Sequence, residues 1–349
     1  MSYKNKILSL VIKHPLNIDT DIQIEGKVPT AVSSEFITNK EQGDWAERIV
    51  FDSINKENGD YIAVRYGRND NVSAGDEGFK EFYLEYLNEL NTIGKKPDIL
   101  IFRKTDYPID NRLTDEIVSK AVCALEVRSS SFLVEKYTNF MDKRSTSAWE
   151  CIKKNVEFIL KGHLGELLKK KNPTIYSYLE SLSRETVANL NFRAPSWSTS
   201  ADLVELSRRL KEIKKSIKVI QKRDYLSITP KLEDIALVNR WIQKYGVPHY
   251  YLQVFFDRGY IISFQDILEI SSDSEKEGKE FSVESDIKNQ GKRTIKININ
   301  DTEQIIDKID MPSHYSAMKE LDRGRLLFYV KFVGGKGYLN HSVFDEIIK

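Results

Sequence analysis

Cysteine is nearly missing from this chain: Cys123 and Cys151 are the only two in 349 residues. Two thiols cannot build a disulfide framework or a thiolate zinc site, so a reducing, cytoplasmic setting is expected. The five histidines show no His-x-x-x-His spacing and no paired cysteine, which removes the usual zinc patterns. Long apolar runs are missing too. No stretch approaches the roughly 20 residues of a spanning helix. The N-terminal run "ILSLVIKHPLNI" is broken by Lys13 and has no small-residue cleavage site, so neither a membrane anchor nor a signal peptide is expected. An excess of one charge is also lacking. The formal net charge is +1, so any contact with nucleic acid must come from local clusters of Lys and Arg. "VGGKGY" and "YGRND" lack Walker spacing, which argues against nucleoside triphosphate use. There is no internal repeat and no low-complexity tail.

What remains is a composition of 40% hydrophobic and 30% charged residues, typical of a soluble globular protein. The length allows one elaborated domain or two ordinary ones. Trp45, Ile49, Val50 and Ile54 recur at helical spacing in "NKEQGDWAERIVFDSINKEN", and Glu47 lies on that helix. "YIAVRYG" reads as a strand and "NDNVSAGDEG" as a loop. "FKEFYLEYLNELNTIG" is a helix closed by Gly94. "KKPDILIFRK" is a short strand entered through Pro97, and "AVCALEVRSS" is the next strand. From Ser129 to about Arg223 the texture is mainly helical. Strand signals return in "DYLSIT" and, after the helix "KLEDIALVNRWIQKYG", in "HYYLQVFFD". The runs "RTIKININ" and "RLLFYVKFV" follow. This order predicts an α/β fold: a mixed central β-sheet flanked by helices, with a helical insertion and a β-rich C-terminal extension.

Three acids fall at informative places. Glu47 is on the first helix, Asp98 opens a strand after Pro97, and Glu126 lies within the following strand. From neighbouring strands Asp98 and Glu126 can project from one sheet edge and share Mg²⁺, which takes oxygen ligands and keeps several waters. Such an ion polarises a phosphate oxygen and helps generate hydroxide from a bound water, the chemistry of phosphodiester hydrolysis. Glu126 and Arg128, two apart and hence on one strand face, also read as a plain ion pair at the sheet rim.

"PDILIF" followed by "ALEVR" resembles the PD-(D/E)XK nuclease superfamily, whose pattern is Pro-Asp, then acid, any residue and lysine on the adjacent strand. The helix bearing Glu47 is similar to the one carrying the family's accessory acid. "GVPHYYLQVFFDRGYIISF" resembles the strand that completes its sheet. The long extensions are similar to those of type II restriction endonucleases, in particular the AccI type. The resemblance spans roughly Glu41 to Gln265 discontinuously. It implies a restriction-endonuclease-like core over 41–270, interrupted by a helical insertion over 129–224, with an N-terminal extension over 1–40 and a C-terminal one over 271–349. The implied activity is Mg²⁺-dependent, site-specific cleavage of double-stranded DNA by a homodimer in a bacterial-type cytoplasm. Asp98 and Glu126 would hold the metal, and Glu47 would assist.

One position departs from the pattern: Arg128 stands where the family has lysine. Arginine stays protonated, so it can clamp a phosphate but cannot act as a base. Lys231 in "LSITPKLED" is the alternative, because it precedes the helix leading to "HYYLQVFFD". Glu233 and Asp234 beside it fit either that site or a helix N-terminus that favours acids. The run "SRRLKEIKKSIKVIQKR" carries Arg208, Arg209, Lys211, Lys214, Lys215, Lys218, Lys222 and Arg223. It reads either as a phosphate-binding stripe or as a solvated helix face. His249, Tyr250, Tyr251, Phe255 and Phe256 read as core. Two other functions fit the same motifs: a non-catalytic DNA-binding protein that keeps the nuclease fold, and a structure-selective repair nuclease.

Overall fold

The computed structural model describes residues 32–57, 59–67, 72–108, 112–286, 292–321 and 324–349, with isolated positions before residue 32. Most of the expected extension 1–40, and positions 69–71 of the expected loop, lie outside the described residues. The chain divides into two compact units, Met1–Val134 with Leu226–Lys349, and Glu135–Tyr225.

In chain order the principal elements are α1 (Ser34–Glu57), β1 (Tyr61–Arg65), α2 (Phe79–Ile93), β2 (Ile99–Arg103), the short α3 (Asp115–Val118) and β3 (Cys123–Ser129). Four helices follow: α4 (Val134–Lys161), α5 (His163–Lys171), α6 (Pro173–Glu180) and α7 (Ala201–Ile220). Then come β4 (Ser227–Ile228), α8 (Ile235–Tyr245), β5 (His249–Val254), β6 (Gly259–Ser263) and α9 (Phe264–Ser271). The chain ends with β7 (Phe281–Asp286), β8 (Lys292–Asn298), β9 (Glu303–Ile309), β10 (Ser313–Glu320), β11 (Leu326–Val333), β12 (Gly337–Leu339) and α10 (His341–Ile347).

The first unit is built on a mixed seven-stranded sheet of order β1-β2-β3-β5-β6-β9-β12, the α/β arrangement expected. Only β3 and β5 pair in parallel, Glu126 opposite Tyr251 and Arg128 opposite Gln253. A parallel pair needs a long crossover connection, and the whole stretch from Ser130 to Pro248 serves as one. From the C-terminal region β9 and β12 join this sheet, while β4, β8 and β7 form a second sheet and β10 with β11 a two-stranded ribbon.

One face of the central sheet packs Cys123, Leu125 and Val127 against Trp45, Ile49 and Ile54 of α1 and Phe344 of α10. The apolar positions of α1 recur every three to four residues, which gives that helix one buried stripe. The other face packs Leu100, Phe102 and Ala124 against Trp241 and Tyr245 of α8. Because side chains alternate along a strand, Glu126 and Arg128 share the face of Ala124, toward α8. The second unit is helical and has its own core, including Ile152, Ile159, Leu168, Leu206, Leu210, Ile213 and Ile217.

Candidate active site

The site forms where β2 and β3 stop pairing. Their antiparallel register runs from Ile101 opposite Cys123 to Ile99 opposite Leu125. The Asp98 amide extends it by one bond, donating to the Leu125 carbonyl at 3.0 Å. Beyond that point the Asp98 side chain replaces the lost strand partner: its Oδ2 accepts from the Val127 amide at 2.7 Å. The Asp98 carbonyl in turn accepts from the amides of Tyr66 and Gly67 at 2.9 and 3.2 Å. Gly67 lies so close that a Cβ there would stand 3.2 Å from the Asp98 Cα. Pro97 is buried at the strand entry, where it forfeits no ladder bond because it has no amide hydrogen to give.

Glu126 is 2% exposed and its charge is answered from two directions. Lys95 Nζ lies 2.6 Å from Glu126 Oε1 and 2.6 Å from Asp234 Oδ2. Arg128 reaches the same two oxygens from its terminal nitrogen, at 2.8 and 3.2 Å. Two cations and two acids thus alternate around a closed ring, which is how charges become tolerable in a low-dielectric interior. Burial favours a proton on Glu126, but Lys95 and Arg128 outweigh it and hold the carboxyl below its ordinary range. Burial also works against ionised Asp234, and the same two cations bring its pKa down to about 2. Burial and Arg128 disfavour a charged Lys95, yet Asp234 and Glu126 prevail and raise its pKa.

Lys95 is the site residue that sequence reasoning missed. It is placed by Gly94, which closes α2 with φ +85°. A Cβ at Gly94 would collide with the Leu237 carbonyl of α8, so only glycine lets the chain pass. The Lys95 amide donates to that same carbonyl at 3.1 Å. Asp234 immediately precedes α8 and its side chain makes no capping bond to the helix. Docking α2's end against α8 therefore brings Lys95 to Asp234 across 139 positions of sequence. The only linear signal was "GKKPD", a lysine pair between the helix-ending glycine and the Pro-Asp step.

The remaining candidates take distinct places. Glu47, half-buried on α1, is near enough to act on Asp98. After burial, the charges of Glu126 and then Glu47 push the Asp98 pKa well above its usual value. Lys231 precedes the turn Leu232–Asp234. Burial leads in depressing its pKa, with Arg128 and Lys95 adding to the effect and Asp234 opposing it. Glu233 is held elsewhere, its Oε1 accepting from the Arg293 amide at 2.8 Å. His249 is a core residue among the rings of Trp241, Tyr251 and Phe264, and burial lowers its pKa to about 4. Tyr251 and Phe255 are buried as well. Tyr250 and Phe256 pack against the α1-facing core.

On α7, Arg208 pairs with Glu205 and Glu212 at 2.7 and 2.5 Å. Arg209 pairs with Glu205 at 2.7 Å, bonds Asn155 and lies over the Phe158 ring. Arg223 faces the Tyr225 ring. Lys211, Lys215, Lys218 and Lys222 are exposed and Lys214 is half-buried.

A divalent ion fits the carboxylates. Among the described residues Glu126 Oε2 is buried without a hydrogen-bond partner, although Oε1 meets both Lys95 and Arg128. After burial, the charges of Glu126 and Glu47 add to the proton affinity of Asp98, and a cation relieves such repulsion. Among the described residues no group of three or more His, Cys, Asp or Glu side chains is placed to hold a metal ion. Mg²⁺ does not require one, since it binds through one or two carboxylates and retains water.

Among the described residues no helix is long and apolar enough to cross a membrane. No curated protein and no solved structure matches the chain. The family model described as AccI restriction endonuclease matches residues 1–349, the whole length. A Pro-Asp strand entry, a buried glutamate on the adjacent strand and a full-length family match converge, and the chain belongs to the AccI restriction endonuclease family.

Proposed function

We propose that the protein is a type II restriction endonuclease that hydrolyses both strands of a specific DNA site with Mg²⁺ bound by Asp98 and Glu126. The observation that carries this reading is the buried, unpartnered Oε2 of Glu126, on the strand next to Asp98. When bound, the ion supplies a polarised phosphate oxygen and a more acidic water. The chain's own residues supply the rest. The Val127 amide holds one oxygen of Asp98, which fixes the carboxylate's orientation. Arg128 stays protonated and neutralises charge that builds on the phosphate in the transition state. Lys95, tied to two carboxylates, serves as a second fixed positive charge and keeps Glu126 ionised. Lys231 is better suited to handling a proton, because its surroundings already weaken its hold on one. Glu47 adds negative charge beside Asp98 and so favours a cation there.

A palindromic site matches a two-fold protein, so a homodimer of the 40.4 kDa chain is part of this reading. Incubating purified protein with phage DNA and Mg²⁺ tests it. Discrete bands with a single end sequence are expected, and Asp98→Asn is expected to lower cleavage by about 10³-fold or more. Binding without cutting would assign the chain to a non-catalytic role. Branch-dependent cutting would assign it to a structure-selective nuclease.

A further inference from the structure

The two units differ sharply in charge. Glu135–Tyr225 holds 19 Lys and Arg against 11 Asp and Glu, a formal +8. The rest of the chain holds 34 against 41, a formal −7. The near-zero total conceals two opposite fields, and such asymmetry within one chain is an electrostatic signature of polyanion binding.

The excess is concentrated on one side of α7. At 3.6 residues per turn this helix has three faces. Leu206, Leu210, Ile213 and Ile217 line the buried one. Glu205, Arg208, Arg209 and Glu212 occupy the second, where the arginines are neutralised by the glutamates. Lys211, Lys214, Lys215 and Lys218 fall within an arc of about 100° on the third, and Lys222 lies just past the helix end. None of these five side chains makes an ion pair or side-chain hydrogen bond among the described residues.

Beside this face lies a groove of about 360 Å³, bounded by residues 188–192 and α7. Lys214 and Lys218 line it, together with Asn189, Asn191 and Gln221. Gln221 fixes the opposite wall, its side-chain amide donating to the carbonyls of Val187 and Leu190 at 3.0 and 2.8 Å. The groove is thus anchored on both sides and carries amide groups suited to phosphate oxygens. From Lys211 to Lys218 the stripe rises about 10 Å, a length along which duplex DNA carries about six phosphate charges.

We infer that the lysine face of α7, with the groove at Lys214 and Lys218, binds the phosphate backbone of duplex DNA. This inference rests on the nuclease reading for its partner. The site holds the substrate without reading bases, and the Arg208–Glu205–Glu212 face takes no part. That assignment separates lysines from arginines that adjoin them in sequence.

The test is a salt titration of binding to a fluorescein-labelled random-sequence duplex, using full-length protein without divalent ions. Each lost phosphate contact lowers the slope of log K against log salt by about 0.9. Lys211→Gln, Lys214→Gln and Lys218→Gln combined are therefore expected to reduce the slope by roughly 2.7. The corresponding three Lys→Arg changes are expected to preserve it, and an unchanged melting temperature of both triple variants verifies folding. A triple Gln variant with the wild-type slope overturns the inference, as does a wild-type protein that does not bind duplex. If wild-type protein binds with the steep slope, loses it in the triple Gln variant, yet never cuts with Mg²⁺, the lysine face stands and the nuclease reading falls.

Discussion

The sheet-bearing unit and the helical unit handle positive charge in opposite ways. Lys95 and Arg128 are sunk between Glu126 and Asp234, where each cation touches two carboxylates. Lys211, Lys214 and Lys218 sit along a helix and pair with no counter-charge among the described residues. A buried charge must be answered within the fold, because the interior offers it no water and leaving it unpaired costs several kcal/mol. A surface charge is hydrated at little cost, and leaving it unpaired keeps it available to an outside anion. The first arrangement fixes charges in place inside the fold, and the second suits an anion many phosphates long.

The strongest way to sharpen this contrast is to remove the charge of Asp98, whose Oδ2 accepts from the Val127 amide. The pKa of Asp98 is raised by burial and by Glu126 and Glu47. The folded state therefore binds its proton more tightly than the unfolded chain does. Stability falls as pH rises from the unfolded value, about 4, through the folded one, and above both the ionised group is a net liability. Asp98→Asn keeps an oxygen to accept from the Val127 amide but carries no charge. The variant is expected to lose cleavage and yet melt at a higher temperature than wild type at neutral pH without metal. The gain is expected to vanish below about pH 4, where both states of the wild-type group are protonated. Melting curves across pH check this. A variant that melts lower at neutral pH contradicts the account of Asp98 as a strained ligand awaiting a cation.

The same substitution placed in both units comes next in size. Lys95→Met leaves Glu126 and Asp234 to share Arg128 alone, and breaking a buried pair costs about 3–5 kcal/mol. Lys214→Met removes a side chain that pairs with nothing and is expected to change stability by less than about 0.5 kcal/mol. Urea unfolding of the two variants reads the difference directly. Equal losses would mean that the ring around Glu126 is more open to water than its 2% exposure indicates.

How far each arrangement was legible follows from its range in sequence. The α/β architecture, the strand positions of Asp98, Glu126 and Arg128, and the core placement of His249 follow from alternation, turn residues and a Pro-Asp step, all local signals. The lysine stripe follows equally from helical periodicity. Lys95 did not, because its role depends on Gly94 meeting α8 more than 140 positions later. Asp234 was legible only as an acid near a helix start, since nothing local shows that two cations converge there. Arg208 and Arg209 were grouped with the lysines because the run was read by charge. Glu205, just before it, decides their fate through the i, i+3 and i, i+4 contacts of the folded helix.

That last distinction supplies the smallest and most specific comparison. Arg208 is exposed and pairs with Glu205 and Glu212 one turn away on either side. Exposed pairs of this kind contribute about 0.3–0.5 kcal/mol each. Arg208→Gln is therefore expected to cost less than about 1 kcal/mol in urea unfolding. Its effect on DNA binding is expected to be smaller than its charge suggests. Glu205 remains held by Arg209, so the substitution frees mainly Glu212, and the lysine face keeps its charges. The salt slope for duplex binding should stay within about 0.3 of wild type, against the loss of about 0.9 for a lysine in phosphate contact. A full-sized drop for Arg208→Gln would show that the arginine leaves its glutamates for DNA, and that the two polar faces of α7 act as one.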